Sequence, residues 1–313
     1  MEQLNTPDLS LRTRRTIGIV GYGFIGRRIA RTALLRGDRV VVLNRSPVDT
    51  TQGMTVLIGD AADPELMNRF VSDVDSIIYA AGSSKPAESN VDPLAETTRN
   101  LAPLLVTLEA LRASAVTNFT YLSSAGTIYG PDVEGSATEE SANWPISAYG
   151  VLKVTAERFI SMYTHVHGLH ADILRCSNVY GPGQPMDGSQ GVIGVFLNAV
   201  RAGRSVVVFG DGSATRDFIH VDDLSDVALR LLPSQSGTRV FNVGSGETIT
   251  IAETLHLIAT SIGVEAIVDR RPPRPFDVPD VQLDTTLLRN TIEFAPRCLA
   301  EGIAGLVPNL MSR

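Results

Sequence analysis

Tyr149 and Lys153 stand four residues apart in the run SAYGVLK, a spacing that puts both side chains on one face of a helix start. A phenol titrates at about 10 and is a poor base at neutral pH, but an adjacent ammonium favours the phenolate and lowers that value. Such a pair can move a proton while a bound carrier moves a hydride. Tyr and Lys at helical spacing are also common as a plain surface pair, so YxxxK alone carries little weight. The weight comes from Ser123 and Ser124, which end a strand-like run 25 residues before the tyrosine. Open α/β sheets present their ligand-binding residues at such strand ends.

A hydride carrier has its own signature earlier in the chain. The apolar run Thr16–Val20 feeds directly into Gly21-Tyr22-Gly23-Phe24-Ile25-Gly26, and a helical pattern follows. Glycines at this spacing serve a tight turn, a close approach of backbone to pyrophosphate and close helix-on-strand packing, with the helix N-terminus facing the anion. The position between a first strand and a first helix favours dinucleotide binding strongly over a purely structural turn. An acidic residue at the end of the second strand would hold the adenine ribose hydroxyls, but the sequence there is Asn44-Arg45-Ser46. Asn44 removes a charge that would repel a 2′-phosphate, and Arg45 supplies a planar donor for one. The expected cofactor is therefore NAD(P), with NADP favoured. A solvated Arg45, with NAD held through Asn44, stays open as the alternative. Asp60, after the third strand, is placed to meet the adenine edge, and Ala80 and Ala81, after the fourth, leave room for a passing cofactor; either segment could equally be a plain turn.

The elements that must position these residues alternate. Strands are expected at Thr16–Val20, Arg39–Leu43, Met54–Ile58, Ser76–Ala81, Asn118–Ser123 and Asp172–Arg175, with helices at Ile25–Arg36, Pro64–Val71, a long stretch ending near Ala113, and Ala148–Val166. This is the pattern of an α/β doubly wound parallel sheet, a Rossmann arrangement. After Cys176 the texture turns Gly/Pro-rich, which marks the crossing into a smaller α/β unit. That unit would hold a helix at Val192–Ala202, a strand at Ser205–Phe209 and most of the chain after Gly246. Asp217–His220, a helix at Asp222–Leu232 and a strand at Val240–Val243 read as a return to the main sheet. The expected division is 15–177 plus about 217–245 for the dinucleotide unit, and about 178–216 plus 246–313 for a substrate unit.

Composition narrows the function classes. With 313 residues and 43% hydrophobic content, the chain can bury a full-sized core. A net charge of −7 with scattered basic residues argues against a nucleic-acid partner. The first sixteen residues lack the apolar segment of a signal peptide, and no run approaches membrane-spanning length, so a cytoplasmic protein without a membrane partner is expected. Cys176 and Cys298 are the only cysteines and have no metal-ligand spacing. His165, His167 and His170 lack carboxylate or Cys partners and read as a solvated helix end, so no metal is expected.

GYGFIG, SSAGTIYG, YGVLK, NVYGPGQ, VVVFGDGSATRDFIHVDDL, FNVGSGE and RPFDVP resemble, in order, the successive motifs of extended short-chain dehydrogenases/reductases, most closely the UDP-glucose 4-epimerase-like enzymes. The resemblance spans nearly the whole chain. It implies that Tyr149 is the acid/base, that Lys153 holds the nicotinamide ribose and tunes the tyrosine, and that Asn178 bonds the pyrophosphate of a nucleotide-diphosphate sugar. It further implies that Arg216 and Arg274 clamp that pyrophosphate, and that the protein is a homodimer through the helices around Leu101–Ala113 and Ala148–Val166. Two positions depart from the family. Val20 stands where its first glycine usually lies, and Ala125 stands where its catalytic Ser or Thr usually lies, which leaves Ser124 and Thr127 as the two candidates for the hydroxyl. Gly126 and Thr127 occupy the places where dehydratases of the family carry acidic residues, which disfavours dehydration. A 4-epimerase is expected first and an NADPH-dependent 4-keto-sugar reductase second. Ala125 motivates a third alternative, a non-catalytic cofactor-sensing protein, against which the retained Tyr149 and Lys153 count.

Overall fold

A computed structural model of the chain describes residues 14–82, 89–186, 191–232, 237–280 and 282–308. Residues 1–13 and part of the Gly/Pro-rich stretch, residues 187–190, lie outside them. In chain order the first half reads β1 (Thr16–Val20), α1 (Phe24–Leu35), β2 (Arg39–Asn44), β3 (Met54–Ile58), α2 (Pro64–Ser72), β4 (Ser76–Tyr79), α3 (Pro93–Arg112), β5 (Asn118–Ser124), α4 (Ala125–Ile128), α5 (Ala148–His167) and β6 (His170–Cys176). The second half reads β7 (Asn178–Tyr180), α6 (Val192–Arg201), β8 (Val206–Phe209), β9 (Thr215–His220), α7 (Val221–Leu231), β10 (Thr238–Val243), β11 (Thr248–Thr250), α8 (Ile251–Ile262), β12 (Val268–Arg271) and two short helices, α9 (Thr286–Thr291) and α10 (Leu299–Ala304).

Seven strands form one parallel sheet in the order β10-β6-β5-β4-β1-β2-β3. The runs Val40–Leu43 and Ser76–Tyr79 are apolar or small throughout and buried throughout, because helices cover both faces of the sheet. One face packs α1 and α7, with Ile29, Ala33, Leu224 and Val227 in the core; the other packs α2, α3 and α5, with Phe70, Leu108 and Ile160. A third apolar core, including Ile193, Phe196, Leu255 and Ile258, lies between α6 and α8. Gly168, in the left-handed region at φ 72°, ends α5 where its sequence expects an end.

One expectation is corrected. The strand Thr215–His220 does not join the main sheet; it pairs with β7 and β11 in a separate three-stranded sheet. The free edge of β6 is taken by β10, whose residues Thr238–Val243 register against Ala171–Cys176. The return to the main unit is therefore made by α7 and β10 alone.

Candidate active site

From β1 the chain passes through α1 to β2 on one side, and from β4 through α3 to β5 on the other, so the carboxyl ends of β1 and β4 form the switch point at which doubly wound sheets bind ligands. Gly21 sits there at φ 92°, and a Cβ on it would stand 2.7 Å from the Ala81 backbone. A Cβ on Gly26 would collide with the Gly21 carbonyl, so this glycine lets α1 lie tightly under the turn. Gly23 is different: a Cβ there would meet nothing within 4 Å. It is the N-cap of α1, whose first turn, opened by Phe24 and Ile25, has neither a side-chain cap nor an acidic residue. Uncapped N–H donors beside open space fit a pyrophosphate.

The adenine end is braced by Asn44. Its Oδ1 accepts the Tyr22 N–H at 3.2 Å and its Nδ2 donates to the Ser46 carbonyl at 2.8 Å, tying the glycine loop to the turn after β2. Arg45 beside it is exposed and makes no ion pair among the described residues. Asp60 is exposed after β3, where its carboxylate accepts the Ala62 N–H. Ala80 donates its N–H to the Val20 carbonyl, which keeps Ala80 and Ala81 against the glycine turn.

At the catalytic end, Ser147 caps α5 by accepting the Gly150 N–H at 3.2 Å. The Ala148 and Tyr149 N–H groups donate to Asn90 Oδ1 and Ser89 Oγ at 2.8 and 3.1 Å. The turn carrying Tyr149 is thus fixed by side chains from the segment just before α3. Ser124, the last residue of β5, lies near enough to the Tyr149 phenol to favour its ionised form. Thr127 Oγ1 instead turns back to the Ser124 carbonyl at 3.4 Å. Lys153 Nζ donates to the Leu122 carbonyl at 2.8 Å and the Tyr121 hydroxyl at 3.2 Å, and lies 5.6 Å from the Tyr149 ring centre. A narrow cleft lined by Ala81, Gly82, Tyr121, Tyr149 and Lys153 joins this pair to the cofactor end.

The electrostatics depart from the expectation that Lys153 holds Tyr149 down. Burial raises the phenol to about 12, with the neighbouring Ser124 opposing, and burial lowers the Lys153 ammonium to about 8. The physical reason is that Lys153 spends its N–H donors on the β5 backbone and Tyr121 rather than on the phenol oxygen.

Of the residues implied for substrate, Asn178 donates from Nδ2 to the Asp217 carbonyl at 3.0 Å, on the adjacent strand β9. Arg216 is half-buried and donates to the Thr215 and Pro279 carbonyls at 2.6 and 2.9 Å. Burial works against its charge, Asp277 and Asp280 support it, and Arg274 opposes it, so the two arginines share one neighbourhood. Arg274 pairs with Asp277 through Nε and Nη2 at 2.7 and 3.0 Å and stacks over Phe209, 4.1 Å from the ring centre. A cavity of about 380 Å³, lined by Ala125, Gly126, Tyr129, Thr215, Val278 and Asp280 among others, separates the end of β5 from β9.

Sequence reasoning missed several neighbours of this site. Tyr121 was detectable only as the residue two before Ser123, hence on the same sheet face. Ser89 and Asn90 act from a different segment and gave no signal. Glu157 was visible as the residue one turn beyond Lys153, but its partner Arg175 becomes apparent only from the strand register.

A doubly wound parallel sheet with a glycine turn at its switch point and a Ser–Tyr–Lys cluster beside it defines the extended short-chain dehydrogenase/reductase class. The profile of the NAD dependent epimerase/dehydratase family matches residues 17–244. The chain belongs to that family. It is 31% identical over 304 residues to a UDP-glucose 4-epimerase of Mycolicibacterium smegmatis, covering 94% of this chain and 97% of the relative. Its fold superimposes with a TM-score of 0.90 on a Thermotoga maritima UDP-glucose 4-epimerase solved with UDP-glucose, at 28% identity, covering 95% of this chain and 99% of that one. A Thermus thermophilus UDP-glucose 4-epimerase solved with NAD gives a TM-score of 0.88 at 30% identity, with coverage of 95% and 99%. Among the described residues, no helix is long and apolar enough to cross a membrane and no group of His, Cys, Asp or Glu could hold a metal ion.

Proposed function

We propose that the protein is a nucleotide-sugar 4-epimerase that acts through a transient 4-keto sugar with a bound nicotinamide cofactor. The observation that carries this reading is the Ser124 hydroxyl against Tyr149 at the mouth of the dinucleotide cleft, with Gly126 and Thr127 where dehydration would need acidic groups. When bound, the dinucleotide supplies a carrier that accepts a hydride and returns it. The chain's own residues do the rest. As the phenolate, which the positive charge of an oxidised nicotinamide beside it would favour, Tyr149 takes the proton of the sugar C4 hydroxyl and later returns it, Ser124 orients that hydroxyl, and Lys153 holds the nicotinamide ribose. Asn178, Arg216 and Arg274 hold the diphosphate across the cavity beside Ala125 and Gly126, two small residues that leave a keto ring room to turn over. The unit built on the third apolar core, about 178–216 plus 246 onwards, takes the sugar nucleotide in this reading.

Arg45 supports NADP over NAD, because an exposed guanidinium, in no ion pair among the described residues, follows Asn44 where an acid would repel a 2′-phosphate. The same residue favours a second reading, a 4-keto-sugar reductase that consumes NADPH. Exposed Leu94 on α3 and Val151, Met162 and Val166 on α5 support a homodimer through those helices. Incubation with UDP-glucose, UDP-galactose and their dTDP counterparts, followed by chromatography of the nucleotide sugars, tests the reading. Interconversion of C4 epimers with no net change in cofactor absorbance supports the epimerase; stoichiometric NADPH oxidation by a 4-keto sugar replaces it with the reductase.

A further inference from the structure

Behind Tyr149 and Lys153 the same face of α5 carries a third polar residue. Glu157 lies one turn beyond Lys153, and its side chain and that of Arg175 are each only 6% exposed. Strand register pairs Ser123 of β5 with Arg175 of β6, so their side chains stand together on the sheet face that α5 covers. Glu157 bridges them: its carboxylate accepts the Ser123 hydroxyl at 2.5 Å, Arg175 Nη2 at 2.7 Å and Arg175 Nε at 3.2 Å. Arg175 Nη1 goes on to the Glu139 carbonyl at 2.8 Å and the Tyr129 hydroxyl at 3.0 Å, both in the segment that follows Ser124. A buried ion pair is weak evidence for stability, since apolar residues of similar volume often do as well. Its place where the catalytic helix meets the strand end that presents Ser124 points to a different use.

We propose that Glu157 is a positioning residue for the proton transfer: by joining Ser123 to Arg175 it fixes the end of β5 that presents Ser124 against the catalytic helix. The inference rests on the reading of Ser124, Tyr149 and Lys153 as the reacting groups. The titratable groups facing Lys153 are Tyr149 and Glu157 on its own helix, Tyr121 on β5 and Cys176 on β6. Burial lowers Lys153 to about 8, and Cys176 and Glu157 oppose that fall. The Cys176 thiol is itself pushed up to about 12 by burial, so it is neutral at working pH, which leaves the Glu157–Arg175 pair as the charged neighbour of Lys153. Arg175 cancels part of the carboxylate charge, so the effect on Lys153 is modest.

Glu157→Gln keeps the shape and removes the charge. Turnover of a nucleotide sugar should fall about 10- to 100-fold, with KM changed by less than about threefold. Because the ammonium then loses its proton at lower pH, the alkaline limb of kcat should move down by about half a unit or more. The same displacement should appear in the pH dependence of NADH and NADPH binding followed by fluorescence. Ser123→Ala, which leaves the ion pair in place, should lower kcat and leave the limb where it is. If Glu157→Gln alone fails to fold because Arg175 is left buried without a partner, Glu157→Asp, which keeps the charge and shortens the reach to Ser123, tests the positioning: kcat should fall with the limb in place, and an unchanged kcat would overturn the proposal. A folded variant with the parent's kcat and limb, changed only in Tm, would overturn the proposal. A parent that turns over no nucleotide sugar would sink the epimerase reading instead, and the limb of cofactor binding would still decide the role of Glu157.

Discussion

Replacing Arg45 by Ala removes the one side chain on which the NADP preference depends. The guanidinium is exposed at the end of β2 and makes no ion pair among the described residues, so a 2′-phosphate has no partner to displace. A charge-assisted hydrogen bond contributes about 1.5–3 kcal/mol when sheltered, and solvent screening brings an exposed one toward about 1–2 kcal/mol. That corresponds to a preference of about 5- to 30-fold for NADPH over NADH. Fluorescence titration of both reduced cofactors should show this ratio in the parent, with Arg45→Ala bringing it near one while NADH affinity barely moves. Raising the salt should shrink the parent's ratio and leave the variant's unchanged, since the interaction is between exposed charges. Asn44→Asp should reverse the preference by setting a carboxylate beside the phosphate, at the added cost of the Nδ2 bond to the Ser46 carbonyl. Equal affinities in the parent, or a ratio that survives the loss of Arg45, would refute the argument and remove the main support for the reductase.

Tyr149→Phe keeps the ring and deletes the proton-transferring hydroxyl, so kcat should fall about 10²- to 10⁴-fold with cofactor binding nearly intact in a titration. Ser124→Ala should slow turnover more than Thr127→Val, because Ser124 stands beside the phenol whereas Thr127 turns to the Ser124 carbonyl; equal, negligible losses in steady-state kinetics would show that neither hydroxyl is needed. Arg216→Ala should raise KM for a nucleotide sugar about ten- to a hundredfold with little change in kcat, because diphosphate contacts are similar in ground and transition states. Unchanged binding of UDP to that variant, measured by calorimetry, would move the clamp elsewhere.

The main sheet was legible in the sequence because each of its strands is a short apolar run closed by a turn residue, and each helix carries its own stop, as Gly168 does for α5. Gly21, Gly23 and Gly26 were legible for a related reason: their roles are dictated by local backbone geometry within six residues. The position of Thr215–His220 was not, since a strand of six residues does not encode which edge is vacant, and β10, later in the chain, occupies the edge of β6. The choice between Ser124 and Thr127 also lay beyond the sequence. A strand end running into the one-turn helix Ala125–Ile128 breaks the period-two alternation that would otherwise assign each side chain a direction.

The two halves of the site are joined at points that the sequence motifs do not name. The chain leaves the main sheet at Ser177, whose N–H donates to the Val243 carbonyl at 2.9 Å, and it leaves a second time just after Val243. Asp217, fully buried next to Arg216, accepts the Ser245 and Gly246 N–H groups at 2.8 Å each. A Cβ on Gly244 would stand 2.7 Å from that carboxylate, so the loop can close over Asp217 only with glycine there. Burial raises Asp217 to about 6 although backbone donors from this loop oppose the rise. Since β9 carries Arg216 and its neighbour β7 carries Asn178, a single buried carboxylate ties both residues proposed to bind the diphosphate to the strand ends of the main sheet. A sugar diphosphate has a limited reach, so the proposed reaction needs those strand ends and β9 held close together, and the Asp217 loop is a direct link between them.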